Sequence, residues 1–516
     1  MKVLNSGRGT LNLRNAAAAL TLIICTLFGH DGAAQIQQAW VARYNNGITN
    51  GTNQAVKMAL DSDGNIIVTG FSQNTNNQLG YVTIKYAPNG AQLWAARYDS
   101  TNSPAAMPTS MEVDSSNNVI VTGSALTLKY DSNGNQLWTA PYTGTALTVD
   151  GTGNSYVAGF SQNFGTVKLS PQGSNIWLAT YLGNGTGPTV SQAVLVDNGG
   201  NVYVSGLDTY YYVPPGGEGN GPYVYLTTIK YDSNGNQIWK TIESPNPFTS
   251  EIRVEGAALD NSGNLYVSAY FNNALSFFIY KYNPLGTAAG INNPEPNVGG
   301  DHVRGLALDN PGNLLLTGQF AYPSPNYPYE ASVYGTYKAN TNGMWLWTNF
   351  YPSSGSYPPS AALGLAVDSS NNSYVTGYSP VSTGTNNIVT IKYGPNGNQL
   401  WLQSYNGFSS GSDIGTAIAV DNNGNVYVTG YETLPGGGTG IVTIKYSPLT
   451  LQRKPDGTVL LETQGSPGES FDIEASVDLL NWLDLGTVFA DTNGLMQFDD
   501  TNAPNFPSRF YYTNPQ

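Results

Sequence analysis

Aspartate is the residue of this chain that most invites a chemical reading. It recurs at one place in a repeated motif, as Asp61, Asp114, Asp150, Asp197, Asp260, Asp309, Asp368 and Asp421. Two Asp-rich turns, Asp61-Ser62-Asp63-Gly64-Asn65 and Asp131-Ser132-Asn133-Gly134-Asn135, partly imitate a calcium loop. Both lack the full ligand spacing and the closing bidentate Glu. They read as turns in which Asp accepts backbone N–H bonds. A residue repeated in every unit is also a poor active site, because a site breaks symmetry. Glu218, Glu251, Glu255 and Glu330 could supply a carboxylate pair for polysaccharide cleavage, but their spacing brings no pair together. Cys25 is the single cysteine, and His302 is the only histidine beyond the N-terminal segment. That excludes a Cys nucleophile and the usual zinc sites, and it argues against a His-dependent triad. The sequence therefore predicts no enzyme, no cofactor and no metal site.

The elements that carry these aspartates come from a two-part repeat. The first half reads ALDSDGNIIVTG (residues 59–70), and seven further copies end with AVDNNGNVYVTG. The second half reads TIKYAPNGAQLW (residues 83–94) and returns as TLKYDSNGNQLW, TVKLSPQGSNIW, TIKYDSNGNQIW and TIKYGPNGNQLW. A weaker sixth copy ends at Trp347, and the fifth unit keeps Lys281-Tyr282 and then decays. Each unit supplies two hairpins with Asp-Gly or Asn-Gly tips. Four short antiparallel strands per repeat is the β-propeller pattern. The 60 Gly, 35 Tyr and only 10% charged residues suit short strands and tight turns rather than long helices. The repeated Trp (Trp40, Trp94, Trp138, Trp177, Trp239, Trp347, Trp401) is expected between neighbouring blades, its N–H bonded to a carbonyl next door. The repeated Lys is expected to pair with a nearby carboxylate.

The ends bear on closure. The eighth unit lacks its Trp strand, while Trp40-Val41-Ala42-Arg43-Tyr44 matches Trp94-Ala95-Ala96-Arg97-Tyr98. Residues 38–45 are therefore expected to complete the last blade and hide two sheet edges. This predicts an all-β propeller of eight blades, or seven if the fifth unit is not a full blade. Residues 1–34 read as a signal peptide: Lys2, Arg8 and Arg14, an apolar stretch at 16–28, then Gly32-Ala33-Ala34. The expected location is secreted or in the cell envelope, with no membrane span in the mature chain. A net charge of −14 with no basic patch argues against nucleic acid as a partner.

Units such as AVDNNGNVYVTGY, IVTIKYSP and NGNQLW resemble the bacterial β-propeller repeat family known as SBBP, over roughly residues 37–448. The resemblance implies an extracellular or envelope-associated scaffold, and the family name implies seven blades. It implies no reaction. The run Asp-x-x-Gly-x-x-x-Trp also resembles a docking motif of quinone-dependent dehydrogenases, but their adjacent cysteine pair is absent. A propeller enzyme, dehydrogenase-like or polysaccharide-degrading, is the alternative.

Asymmetry directs the search for a ligand site. Two long loops rich in Tyr and Pro belong to units four and six. One holds Tyr210, Tyr211, Tyr212 and Tyr223; the other holds Tyr322, Tyr327 and Tyr329. Both lie on the face opposite the Asp turns, and His302 could line the same face. Tyrosines on Pro-stiffened loops make platforms for sugar rings or peptides. The expected function is a noncatalytic scaffold whose partner is an extracellular glycan or protein.

After Pro448 the repeat stops. Alternating stretches within residues 455–516 read as a small β-sandwich, with Trp482 in its core. The run FDIEASVDLLNW with RFYY resembles C-terminal modules of secreted Verrucomicrobia proteins, for which no chemistry is implied.

Overall fold

The computed structural model describes residues 36–515 except 102, 104, 161–163, 184–186, 211–222, 244–251, 272–275, 292–301, 323–330, 352–359, 381–384, 409–410 and 479. The proposed signal peptide at 1–34 lies outside the described residues.

Strand formation follows the repeat. The second strand of each unit, such as Ile66–Gln73, and the third, such as Leu79–Tyr86, are buried on both faces. Their near-continuous runs of Val, Ile, Tyr and Thr fit that environment. First and fourth strands, such as Asn53–Leu60 and Gln92–Tyr98, are only partly buried. Among the described residues this gives eight four-stranded antiparallel sheets. We number these blades 1 to 8: residues 53–98, 108–140, 146–181, 189–243, 252–291, 302–351, 361–405, and 414–448 with 36–44. The fifth unit forms a sheet whose fourth strand, Ala288–Ile291, is short and lacks Trp. First strands of successive blades pack against each other, and that of blade 8 packs on that of blade 1. Ile36–Tyr44 pairs antiparallel with Thr439–Pro448, placing Trp40 opposite Lys445.

The core lies between blades. Tyr156, Ala158 and Phe164 of blade 3 meet Val194, Val204 and Ile229 of blade 4 in one cluster, for example. The tryptophans join the blades as expected. Trp94 Nε1 donates to Ser132 O at 3.0 Å, and Trp138 Nε1 donates to Pro171 O at 3.0 Å. The turn aspartates are saturated by the protein's own donors. Asp61 Oδ1 accepts from the N–H groups of Asp63 and Asn65, and Asp61 Oδ2 lies 2.7 Å from Lys85 Nζ.

The C-terminal module starts earlier than residue 455. Thr450–Arg453 already pairs with Val459–Gln464, so the sandwich begins directly after the last propeller strand. Two three-stranded sheets enclose Leu461, Phe471, Ile473, Met496 and Tyr511. Trp482 is not in this core. It opens an edge strand, Trp482–Phe489, and its ring meets Tyr512 at 6.1 Å on the outer face. The cause is local: the strand starts at Trp482, which pairs with Ser476 out of phase with the core residues Phe471, Ile473 and Ala475. The module is held to the closing strand. Gln37 Nε2 donates to Thr463 Oγ1 at 2.7 Å, and Thr513 Oγ1 donates to Gln37 Oε1.

Candidate functional site at the channel mouth

First strands run from the loop face towards the Asp turns, and together they line a central channel of about 390 Å3. In seven blades the first strand carries a β-bulge at the same place, five residues before its turn Asp. A bulge re-aims its side chain and tightens the local twist. The bulged residues are Val56, Thr109, Gln192, Glu255, Arg304, Leu363 and Thr416, with Thr145 at the equivalent place in blade 3.

Four of these residues reach the backbone of the next blade. Thr109 Oγ1 donates to Gly144 O at 2.6 Å, and Thr416 Oγ1 donates to Ala55 O at 3.1 Å. Thr145 Oγ1 donates to Ser191 O, and Gln192 Oε1 accepts from Val254 N at 2.8 Å. These contacts knit the ring and need no ligand.

Blades 5 and 6 depart from that pattern by placing charges there. Glu255 Oε1 accepts from His302 Nδ1 at 2.9 Å, doing the same inter-blade work. Glu255 Oε2 is buried, with the side chain only 4% exposed, and has no hydrogen-bond partner among the described residues. Arg304 Nη1 stands 3.8 Å from Glu255 Oε1, with its side chain 40% exposed. Both Glu255 and Arg304 line the channel. The His302 ring lies on Tyr270, centroids 4.2 Å apart.

Tyr270 is ten residues after its turn Asp. The same place holds Tyr378 in blade 7 and Tyr431 in blade 8, both partly exposed. Burial raises both hydroxyls above the ordinary phenol range; the Arg304 charge works against the shift at Tyr378, and Tyr378 adds to it at Tyr431. The channel wall at blades 5 and 6 therefore carries a carboxylate oxygen without a partner among the described residues and a guanidinium, and the partly exposed Tyr378 and Tyr431 stand at the loop-face ends of second strands in blades 7 and 8.

Residues 404–431 match the SBBP beta-propeller repeat model. That segment, at the junction of blades 7 and 8, carries one SBBP-type repeat. The chain is 26% identical over 484 residues to an uncharacterized WD repeat-containing protein, L264, of Acanthamoeba polyphaga mimivirus. That match covers 78% of this chain and 32% of the relative, so the chain spans about a third of the relative's length. Solved structures that match include a protein of unknown function from Bacteroides caccae, at 13% identity and a TM-score of 0.31. That alignment covers 56% of this chain and 93% of the other. A second, from Dyadobacter fermentans DSM 18053, is 10% identical with a TM-score of 0.35, covering 80% of this chain and 98% of the other.

The tyrosines singled out from sequence fare unevenly in the propeller. Tyr210 and Tyr223 are cross-strand partners at the loop-face tip of blade 4. Tyr322 ends the strand Leu314–Tyr322 of blade 6. Tyr211, Tyr212, Tyr327 and Tyr329 lie outside the described residues. His302 is not a loop residue but opens the first strand of blade 6, and its contacts are with Glu255 and Tyr270 of blade 5. Glu255 entered the sequence reading only as a possible carboxylate pair member, and Arg304, Tyr270, Tyr378 and Tyr431 were not singled out. The signal for them is the variation of two positions inside an otherwise regular repeat. Among the described residues no three His, Cys, Asp or Glu side chains gather to hold a metal. No described helix is long and apolar enough to cross a membrane.

Proposed function

We propose that this protein is a noncatalytic binding scaffold of the cell exterior that takes an extracellular glycan at the loop-face mouth of its channel. The observation that carries the reading is Glu255 Oε2, a buried acceptor with no partner among the described residues, at the wall of an open channel. A buried carboxyl oxygen left without a hydrogen bond is costly, so a donor from a ligand is the expected complement. Sugar hydroxyls donate to such an oxygen and accept from the neighbouring guanidinium. The apolar faces of sugar rings pack on phenol rings such as Tyr378 and Tyr431.

A glycan array probed with the purified protein tests this. Wild type is expected to bind, Glu255→Gln and Arg304→Ala to lose at least about tenfold in affinity, and Tyr211→Ala/Tyr327→Ala to lose less. Loss confined to the tyrosine pair would move the site to the outer loops. No binding by wild type would overturn the glycan reading. Release of shortened sugars from a bound glycan would overturn the noncatalytic one.

A further inference from the structure

The C-terminal module contains a second cavity, of about 150 Å3, remote from the channel mouth. Its walls include Leu451, Val459, Phe506 and Tyr511, so most of the surface is apolar. A cavity of that size accommodates a benzene-sized group. Two arginines, Arg453 and Arg509, also line it.

Arg509 is an unusual wall for an apolar cavity. Its side chain is 5% exposed. Asp500 Oδ2 lies 2.9 Å from its Nε, off the line of a hydrogen bond, and also accepts from Tyr511 Oη at 2.9 Å. The guanidinium carbon stands 4.3 Å over the Phe506 ring. These neighbours fix the guanidinium plane, yet Nη1 is buried without an acceptor among the described residues. Arg453, on the adjoining strand Thr450–Arg453, has no carboxylate within ion-pair distance among the described residues. The cavity wall thus holds two guanidinium groups, of which only that of Arg509 has a carboxylate beside it. A buried guanidinium edge is normally paired, and its natural complement is a carboxylate held by two parallel bonds.

We propose that this cavity is a binding site for an organic carboxylate that bears one ring-sized apolar group. The carboxylate pairs with Nη1 of Arg509 and with Arg453, and the apolar group fills the space between Leu451, Val459 and Phe506. A small aromatic acid and the C-terminal residue of an apolar peptide share this chemistry. The site stands independently of the glycan reading, because none of its residues lies near the channel.

Calorimetric titration of the full protein with phenylacetate, phenylacetamide, and a tetrapeptide ending in Phe, as free acid and as amide, separates the possibilities. Free acids are expected to bind at least about tenfold more tightly than their amides. Tighter binding of the peptide acid than of phenylacetate assigns a chain end, and the reverse assigns a small acid. Arg453→Ala, an exposed substitution that leaves the core intact, is expected to weaken acid binding about fivefold or more with an unchanged melting temperature. Arg509→Met is expected to abolish the preference for acids over amides. Equal binding of acid and amide, no binding of either acid, or acid binding unaffected by Arg453→Ala would overturn the proposal.

Discussion

The eight turn aspartates meet their lysines in two ways, and a third residue decides which. Where the residue six after Asp is Ile67, Ile120 or Leu315, Lys and Asp form a direct ion pair of 2.7–2.9 Å. Where it is Tyr, the phenol donates to the Asp and the ammonium lies over the ring, as with Tyr203 and Lys230 at 4.7 Å. In Tyr374 both appear at once, the Lys392–Asp368 distance stretching to 4.0 Å. Burial has a stronger effect on Glu112, on the first strand of blade 2. Its side chain keeps some contact with solvent but is packed round by protein, and desolvation pushes its pKa from 4.5 to about 7, against the attraction of Lys57. The folded state therefore holds this proton more tightly than the unfolded chain does. The resulting stabilisation is fully present below about pH 4.5 and is lost as the pH rises through about 7. Its size is roughly 3 kcal/mol. Glu112→Gln is expected to raise the melting temperature at pH 8, and to flatten its fall between pH 5 and 7. Thermal denaturation of both proteins across that range measures it, and parallel curves would contradict it.

At the scale of the element, the turn between third and fourth strands has a second role beyond reversing the chain. Its Gly is the seat of the tryptophan from the preceding blade. A Cβ on Gly134 would stand 2.7 Å from Trp94 Cδ2, and the residue sits at φ +85°. Gly173 with Trp138 and Gly235 with Trp177 repeat the arrangement. Gly134→Ala is expected to cost roughly 2–4 kcal/mol, combining left-handed strain with overpacking. Gly151→Ala is the comparison, because a Cβ there meets nothing within 4 Å. Chemical denaturation of the two variants should separate them clearly, and equal losses would remove the seat argument. This element was legible in the sequence, since Asn-Gly and Trp recur at fixed spacing and each does one job in every blade. The channel mouth was far less legible. Glu255 and Arg304 stand at a bulge, and a bulge changes where a side chain points without leaving a mark in the strand alternation. Trp482 went to the wrong face for a related reason, because alternation gives a face only once the first paired residue is known.

For the whole molecule the decisive joint is the seam in blade 8, where Ile36–Tyr44 meets Thr439–Pro448. Backbone pairing there is reinforced by a buried polar lock. Arg43 Nε donates to Glu432 Oε1 at 2.7 Å, and Arg43 Nη2 donates to Tyr405 Oη at 2.7 Å. Tyr405 Oη in turn donates to Glu432 Oε2 at 2.7 Å, tying in blade 7. Glu432 is fully buried, so removing Arg43 leaves an uncompensated charge, a loss of about 3–5 kcal/mol. The same strand anchors the C-terminal module through Gln37. One strand therefore closes the ring and fastens the second domain, and its loss should do more than lower stability. A chain that begins at residue 46 would present the whole edge of Thr439–Pro448 and free the module at once. An exposed, apolar, unpaired strand recruits other chains. Light scattering on the truncated protein is expected to show concentration-dependent oligomers, whereas Arg43→Ala keeps the edge covered and stays in the wild-type state with a lower melting temperature. A truncated chain in the wild-type state at every concentration would mean that another segment covers the edge, and the seam would then owe its integrity to the rest of the ring.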